Sequence, residues 1–136
     1  MPSAPVPHEL GRFLASPRPA VVATIGRDGA PVTAATWYEW ADGRLLLSME
    51  AGGRRIGNIR NDPRVSLTVL ADNWYSQVTL LGHAVEIRDD TDFADVDRLS
   101  MHYLGEPYGE YDSPCMTVVA EVTRWYTFGD PLSADR

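Results

Sequence analysis

Residues 44–70, RLLLSMEAGGRRIGNIRNDPRVSLTVL, decide how the chain is read. RLLLSM is an apolar run of strand length, and VSLTVL at 65–70 alternates apolar and hydroxyl side chains with the period of a half-buried strand. Between them Gly52-Gly53 breaks the first strand, RRIGNIRN at 54–61 reads as one or two helical turns, and Asp62-Pro63 ends them. A strand that passes through two glycines into a helix opening on two arginines suits an anion. Amide N–H groups at a helix start attract negative charge, and guanidiniums add directional, charge-assisted donors. On spacing alone, a phosphate cradle and an ordinary solvated arginine pair at Arg54 and Arg55 fit equally well.

Outward from this stretch the same reading continues. Upstream, AVVATI at 20–25 is β-branched and apolar, a turn follows at 26–29, PVTAATWYEW at 31–40 is a second strand, and Asp42-Gly43 is a second hairpin signal. The period of two sets Trp37 opposite Tyr38 and Trp40, so either one face is core and the other lines a pocket, or all three pack. Downstream, YSQVTLLGHAVEI at 75–87 is a long strand with a bulge or bend at Gly82. Residues 89–104 are the clearest helix: Thr91 is its expected cap, Asp92 and Asp95 suit its positive end, and Phe93, Val96, Leu99 and Tyr103 form its apolar stripe. A polar, tyrosine-bearing loop at 105–114 leads to a last strand at 115–128. At the other end, residues 1–5 read as frayed, and 7–14 as a short helix with Leu10, Phe13 and Leu14 on one face, stopped by Pro17 and Pro19. Six short strands with tight turns and one substantial helix predict a mainly β, six-stranded antiparallel barrel rather than a doubly wound parallel sheet. One domain is expected over 1–136, with an arm and helix at 1–16 and a tail at 129–136.

Composition removes whole chemistries. All twelve basic residues are arginine, so no lysine can serve as Schiff base, aldimine partner or general base. One cysteine, Cys115, excludes an internal disulfide, and the three histidines at 8, 83 and 102 lack metal-ligand spacing, so no metal site is expected. No serine sits in a nucleophile elbow, and the Gly52–Gly57 spacing lacks the lysine and hydroxyl of a nucleotide-triphosphate loop. The acids at 86–97 read as a solvated helix start. A net charge of −7 argues against a nucleic-acid partner. No apolar run reaches the roughly 18–20 residues of a membrane span, and no secretory signal is evident, so a cytoplasmic address is expected. The charge is unevenly spread, however. Residues 1–64 hold eight arginines and six acids, net +2, while 65–136 hold four and thirteen, net −9.

Taken together, RLLLSMEAGGRRIGNIRNDPRVSLTVL, the upstream VVATIGRDGAPVTAATWYEWADGRLLL and the downstream SQVTLLGHAVEI resemble the pyridoxamine-phosphate-oxidase-like, flavin-binding split-barrel family. The likeness runs from about Pro19 to Ile87 and is looser beyond. It implies a homodimer with the cofactor at the two-fold interface. It places Arg54 and Arg55 at the cofactor phosphate, Ser48 and Met49 on the strand end beside it, and Ala34, Ala35, Thr36 and Trp37 against the ring system. Gln77, with Tyr75 and Ser76, falls at the ring or its side chain, and Asn58 joins the cofactor-binding set. Tyr38, Trp74, Tyr108 and Tyr111 are the expected substrate-pocket residues, with the loop from Glu106 to Ser113 as a candidate lid. The C-terminal tryptophan and Arg-x-His-x-x-Arg-like element of true pyridoxamine-phosphate oxidases has no counterpart here, so that activity is not expected. The short form and the RRIGNIRNDPRVSL run are closer to the small reductases that use coenzyme F-420, an 8-hydroxy-5-deazaflavin. The resemblance therefore implies hydride transfer between that coenzyme and a small conjugated substrate, a chemistry that asks the protein for no nucleophile or metal. FMN in the same fold is one alternative. A non-catalytic cofactor- or haem-binding barrel, with His83 and His102 as its haem ligands, is another.

Overall fold

The computed structural model describes residues 1–133. Its strands are β1 (Ala20–Ile25), β2 (Pro31–Thr36), β3 (Glu39–Ala41), β4 (Arg44–Glu50), β5 (Arg64–Leu70), β6 (Gln77–Asp89) and β7 (Cys115–Phe128). The helices are α1 (His8–Leu14), α2 (Arg54–Asn61) and α3 (Ala94–Leu104), the last preceded by a single tight turn at Thr91–Phe93. The strands form one antiparallel sheet in the order β2-β1-β5-β6-β7-β4-β3.

The strand count is seven, where six were expected, because the predicted strand at 31–40 is two. The apolar alternation continues across Trp37-Tyr38, but the chain there leaves one edge of the sheet and joins the other. Thr36 ends the first strand of the order and Glu39 begins the last. Three Cα steps span at most about 11 Å, so the sheet must curl until its two edges face each other. No ladder joins β2 to β3 among the described residues, and the barrel is split at this seam.

Helix α3 covers the seam. The Arg98 guanidinium donates to both carboxylate oxygens of Glu39 at 2.8 and 3.1 Å. The Tyr103 ring stacks on Trp37, with centroids 5.4 Å apart. Thr91 does not cap this helix. Asp92 and Phe93 both take left-handed backbone, with φ of 57° and 56°, which delays the regular turns until Ala94. Asp90 supplies the cap, its two carboxylate oxygens accepting from the amides of Asp95 and Val96 at 2.8 and 2.9 Å. The N-terminal residues are not frayed either. Ala4 donates to the Thr123 carbonyl and Trp125 to that of Pro2, which lays the arm along β7.

The interior is filled from alternate positions, Leu45, Leu47 and Met49 on β4 and Val65, Leu67 and Val69 on β5, closed at one side by Leu10, Phe13 and Leu14 of α1. Gly82 marks a bulge between β6 and β7, as its sequence context predicts. A Cβ there would stand 1.9 Å from the Glu121 carbonyl oxygen, so only glycine lets the two strands approach. Among the described residues no helix is long and apolar enough to cross a membrane.

Candidate functional site

A cavity of about 920 Å³ opens between the β1–β2 edge, the end of β4, the start of α2 and the inner face of α3. That volume is of the size that takes a ring-containing cofactor together with a small second molecule.

At its polar end stands the start of α2. Gly53 is the N-cap, with no side-chain cap and no acid in the first turn, so among the described residues the first-turn amides have no carboxylate or hydroxyl as partner. Arg54 is exposed, while Arg55 is half-buried and its Nη1 is fully enclosed without a hydrogen-bond partner among the described residues. Burying a guanidinium nitrogen unpaired is costly, and sites that tolerate it are built to be completed by an anion. Ser48, Met49, Glu50 and Cys115 complete this end. Burial holds the Cys115 thiol above its ordinary value, so it stays protonated and is a poor nucleophile at neutral pH.

The other end is aromatic and aliphatic. Trp37 stacks on Tyr103 at 16° between planes, and Tyr108 meets Trp37 edge-on, centroids 6.3 Å apart at 81°. Val96 and Leu99 of α3 and Pro17, Pro19 and Ala20 form the remaining wall. The Tyr103 hydroxyl donates to the Arg18 carbonyl at 2.8 Å, fixing that ring to the segment that carries the prolines.

Of the residues singled out in the sequence, Arg54, Arg55, Ser48, Met49, Ala34, Ala35, Thr36, Trp37 and Tyr108 line this one cavity. Others do not. Tyr38, expected in the substrate pocket, is 1% exposed in the core and its hydroxyl donates to the Leu14 carbonyl at 2.7 Å. Trp37 turns to the cavity and Tyr38 to the core, the opposite sides that the period of two assigns to them. Asn58 donates to the Thr24 hydroxyl at 3.2 Å, tying α2 to β1 instead of facing the cavity. Tyr111 lies outside, its hydroxyl donating to Asp97 at 2.8 Å. Trp74, Tyr75, Ser76 and Gln77 gather at the start of β6, away from the lining. There Trp74 and Tyr75 are exposed, Tyr75 packs edge-on to Phe128, and Ser76 is buried and accepts from the Asp130 amide at 3.1 Å. His83 and His102 are exposed and outside the lining, and among the described residues no cluster could hold a metal.

Val96, Leu99 and Tyr103 were legible only as an apolar stripe, since helical periodicity does not say whether the stripe covers a core or a cavity. Pro17, Pro19, Ala20 and Cys115 carry no local signal, and the topology alone brings them in.

A curled antiparallel sheet with a basic helix start and an aromatic-walled cleft defines the flavin-type split-barrel oxidoreductase class. Within it, the pyridoxamine 5'-phosphate oxidase family matches residues 6–129, and this chain belongs to that family. Solved structures share the fold. An F-420 reductase superposes with a TM-score of 0.78 at 24% identity, over 90% of this chain and 98% of its own. A conserved hypothetical protein from Mycobacterium tuberculosis gives 0.73 at 26% identity over 96% and 89%. A protein from Clostridium acetobutylicum related to general stress protein 26 of B. subtilis gives 0.65 at 20% identity over 91% and 94%. No curated protein matches the sequence.

Proposed function

We propose that this protein is an oxidoreductase that binds coenzyme F-420 and passes hydride between it and a small conjugated organic molecule. The observation that carries the reading is the enclosed, unpartnered Nη1 of Arg55 beside the uncapped start of α2. A phosphate group bound there gives that nitrogen an acceptor and the first-turn amides a counter-charge. The likeness to an F-420 reductase over nearly the whole of both chains favours the deazaflavin, and FMN offers the same phosphate to the same arginines.

When bound, the coenzyme supplies the hydride chemistry. The chain supplies placement: Arg54 and Arg55 hold the phosphate, and Ala34, Ala35 and Thr36 of β2 leave room for a ring beside Trp37. Val96, Leu99, Tyr103 and Trp37 keep water from the reacting face. Tyr38 takes no part in proton supply, because its phenol is held in the core, and Tyr111 is engaged with Asp97 outside the cavity. Solvent or Tyr108 remains for that role.

The reading includes a two-fold homodimer. Tyr75, Ser76 and Gln77 stand three strand positions from β2, about 14 Å across the sheet. They reach a ring system more readily in the cavity of a second copy, with exposed Trp74, Tyr75 and Phe128 as the apolar surface between copies.

Titration of the purified protein with coenzyme F-420 and with FMN, followed by fluorescence, tests the assignment. Coenzyme binding with no response to FMN supports it, and a yellow protein carrying tight FMN overturns the deazaflavin. Arg55→Ala is expected to weaken binding by about 10- to 100-fold, the range for lost hydrogen bonds to a charged group. Unchanged affinity would remove the phosphate cradle.

A further inference from the structure

The loop between α3 and β7 is tied down at two points that the sheet does not require. One oxygen of Asp97 on α3 accepts both the Tyr108 backbone N–H at 3.0 Å and the Tyr111 hydroxyl at 2.8 Å. The Tyr111 ring also leans on Phe93, centroids 4.8 Å apart. Phe93 is presented there by left-handed backbone at Asp92 and Phe93, a conformation that costs non-glycine residues on the order of 1 kcal/mol each. Gly105 and Gly109, with φ of 74° and 79°, supply the bends on either side of Tyr108. What these anchors deliver is the Tyr108 ring, set edge-on to Trp37 at the mouth of the cavity.

We propose that Asp97 is a positioning residue for the hydride-accepting or hydride-donating substrate. By clamping the 105–114 loop it holds Tyr108 as the third wall of an aromatic recess with Trp37 and Tyr103, and that recess takes an uncharged planar conjugated molecule. The proposal rests on the oxidoreductase reading of the cavity and adds to it where the second molecule sits and what orders its site. The three rings pack on one another, face-on and edge-on, and their cavity-facing sides give the recess an aromatic wall against which a flat π-system can lie. Glu110 beside Tyr108 places negative charge at the mouth, which opposes anionic substrates. Burial first, and then the charge of Glu110, raise the Tyr108 phenol, so it stays protonated at neutral pH. Asp97 stands apart from α3's packed face, where Val96, Leu99 and Ser100 are buried, so its replacement leaves that packing in place.

Coumarin, neutral and planar, is a suitable probe. Its affinity is read from tryptophan fluorescence in the protein as purified, for the native chain and for Asp97→Ala, Tyr111→Phe and Asp97→Asn. Amide exchange over residues 105–111 is followed in the same samples. Asp97→Ala should speed exchange at Tyr108 and weaken coumarin by about tenfold, the effect of losing one to two hydrogen bonds to a carboxylate. Tyr111→Phe should fall between, and Asp97→Asn, which keeps an acceptor oxygen, should stay near native. Affinities for coenzyme F-420 and FMN should not move. Native-like exchange and coumarin binding in Asp97→Ala overturn the proposal. So does faster exchange with unchanged coumarin affinity, a parallel loss of cofactor affinity, or a native protein that does not bind coumarin. Failure of both cofactors to bind the native chain would instead sink the oxidoreductase reading, while the exchange and coumarin results still decide whether Asp97 orders the recess.

Discussion

Trp37 and Tyr103 lie face to face, ring centroids 5.4 Å apart and planes 16° from parallel. One ring belongs to the two-residue link between the sheet edges and the other to α3, so a single stack fixes the helix over the seam and forms a wall of the cavity. The Tyr103 hydroxyl adds to this by donating to the Arg18 carbonyl at 2.8 Å and accepting from the Tyr38 amide at 3.4 Å. Tyr103→Phe keeps the stack and loses both bonds, and should cost about 1–2 kcal/mol in urea unfolding at constant m. Tyr103→Ala removes the stack as well and should cost about 3 kcal/mol or more. A phenylalanine variant as stable as the native protein would show that the hydroxyl does not hold the segment at 14–18.

Tyr38 gives a prediction with a pH signature. Burial, and then the neighbouring Tyr103, push its phenol well above the ordinary value of 10.0. A raised acid keeps its proton in the folded state, so its contribution to stability is full below pH 10 and declines as the unfolded chain ionises above it. Tyr38→Phe should cost about 1–2 kcal/mol at pH 7, because the Leu14 carbonyl loses its buried donor. The gap between native and variant should narrow above pH 10, as measured by denaturant midpoints across pH 7–11. A gap that widens there would contradict the assignment.

What was legible in the sequence follows physical lines. The bounds of α2 could be read to the residue, since Gly53 and Asp62-Pro63 act through local backbone geometry at either end. β1 was equally plain, bounded by Pro19 and the turn at 26–29. The break at Trp37 could not be read, because crossing from one sheet edge to the other is a property of the whole topology and leaves the side-chain alternation intact. Thr91 misled for a related reason: two left-handed residues, neither of them glycine, moved the helix start to Ala94 and the cap to Asp90. At the site, the arginine pair stood out by charge and spacing, whereas Tyr103 looked like core.

Gly82 is the position where the sheet has least tolerance. A methyl group there would collide with the Glu121 backbone, not with a side chain able to move away. Gly82→Ala must therefore shift the β6–β7 bulge, and a loss of about 3 kcal/mol or more is expected, at the upper end of overpacking costs. Gly57 in α2 is the control. A Cβ there meets nothing within 4 Å, so Gly57→Ala should be neutral or stabilising by up to about 1 kcal/mol. Thermal midpoints of the two variants moving together would refute the steric account.

Asp95 joins α3 to the sheet and sets the acid limit of the fold. Its carboxylate accepts from the Thr117 hydroxyl at 2.6 Å and from the Arg88 and Arg98 guanidiniums at 3.2 and 3.0 Å. Burial alone would raise this carboxyl, but those bonds outweigh it and hold it below the ordinary 3.8. A depressed acid contributes fully above its unfolded value and loses that contribution as pH falls through the folded one. Both arginines are partly solvated, which reduces the worth of the ion pairs, whereas Thr117 is fully buried and depends on Asp95 for a partner. Asp95→Asn should therefore cost about 2 kcal/mol at pH 7. The difference from the native protein should shrink below pH 4, where the unfolded chain takes up a proton that the native carboxylate still resists. Urea unfolding at pH 7 and pH 3 measures both values, and an equal difference at the two would mean that packing, not charge, ties Asp95 to β7.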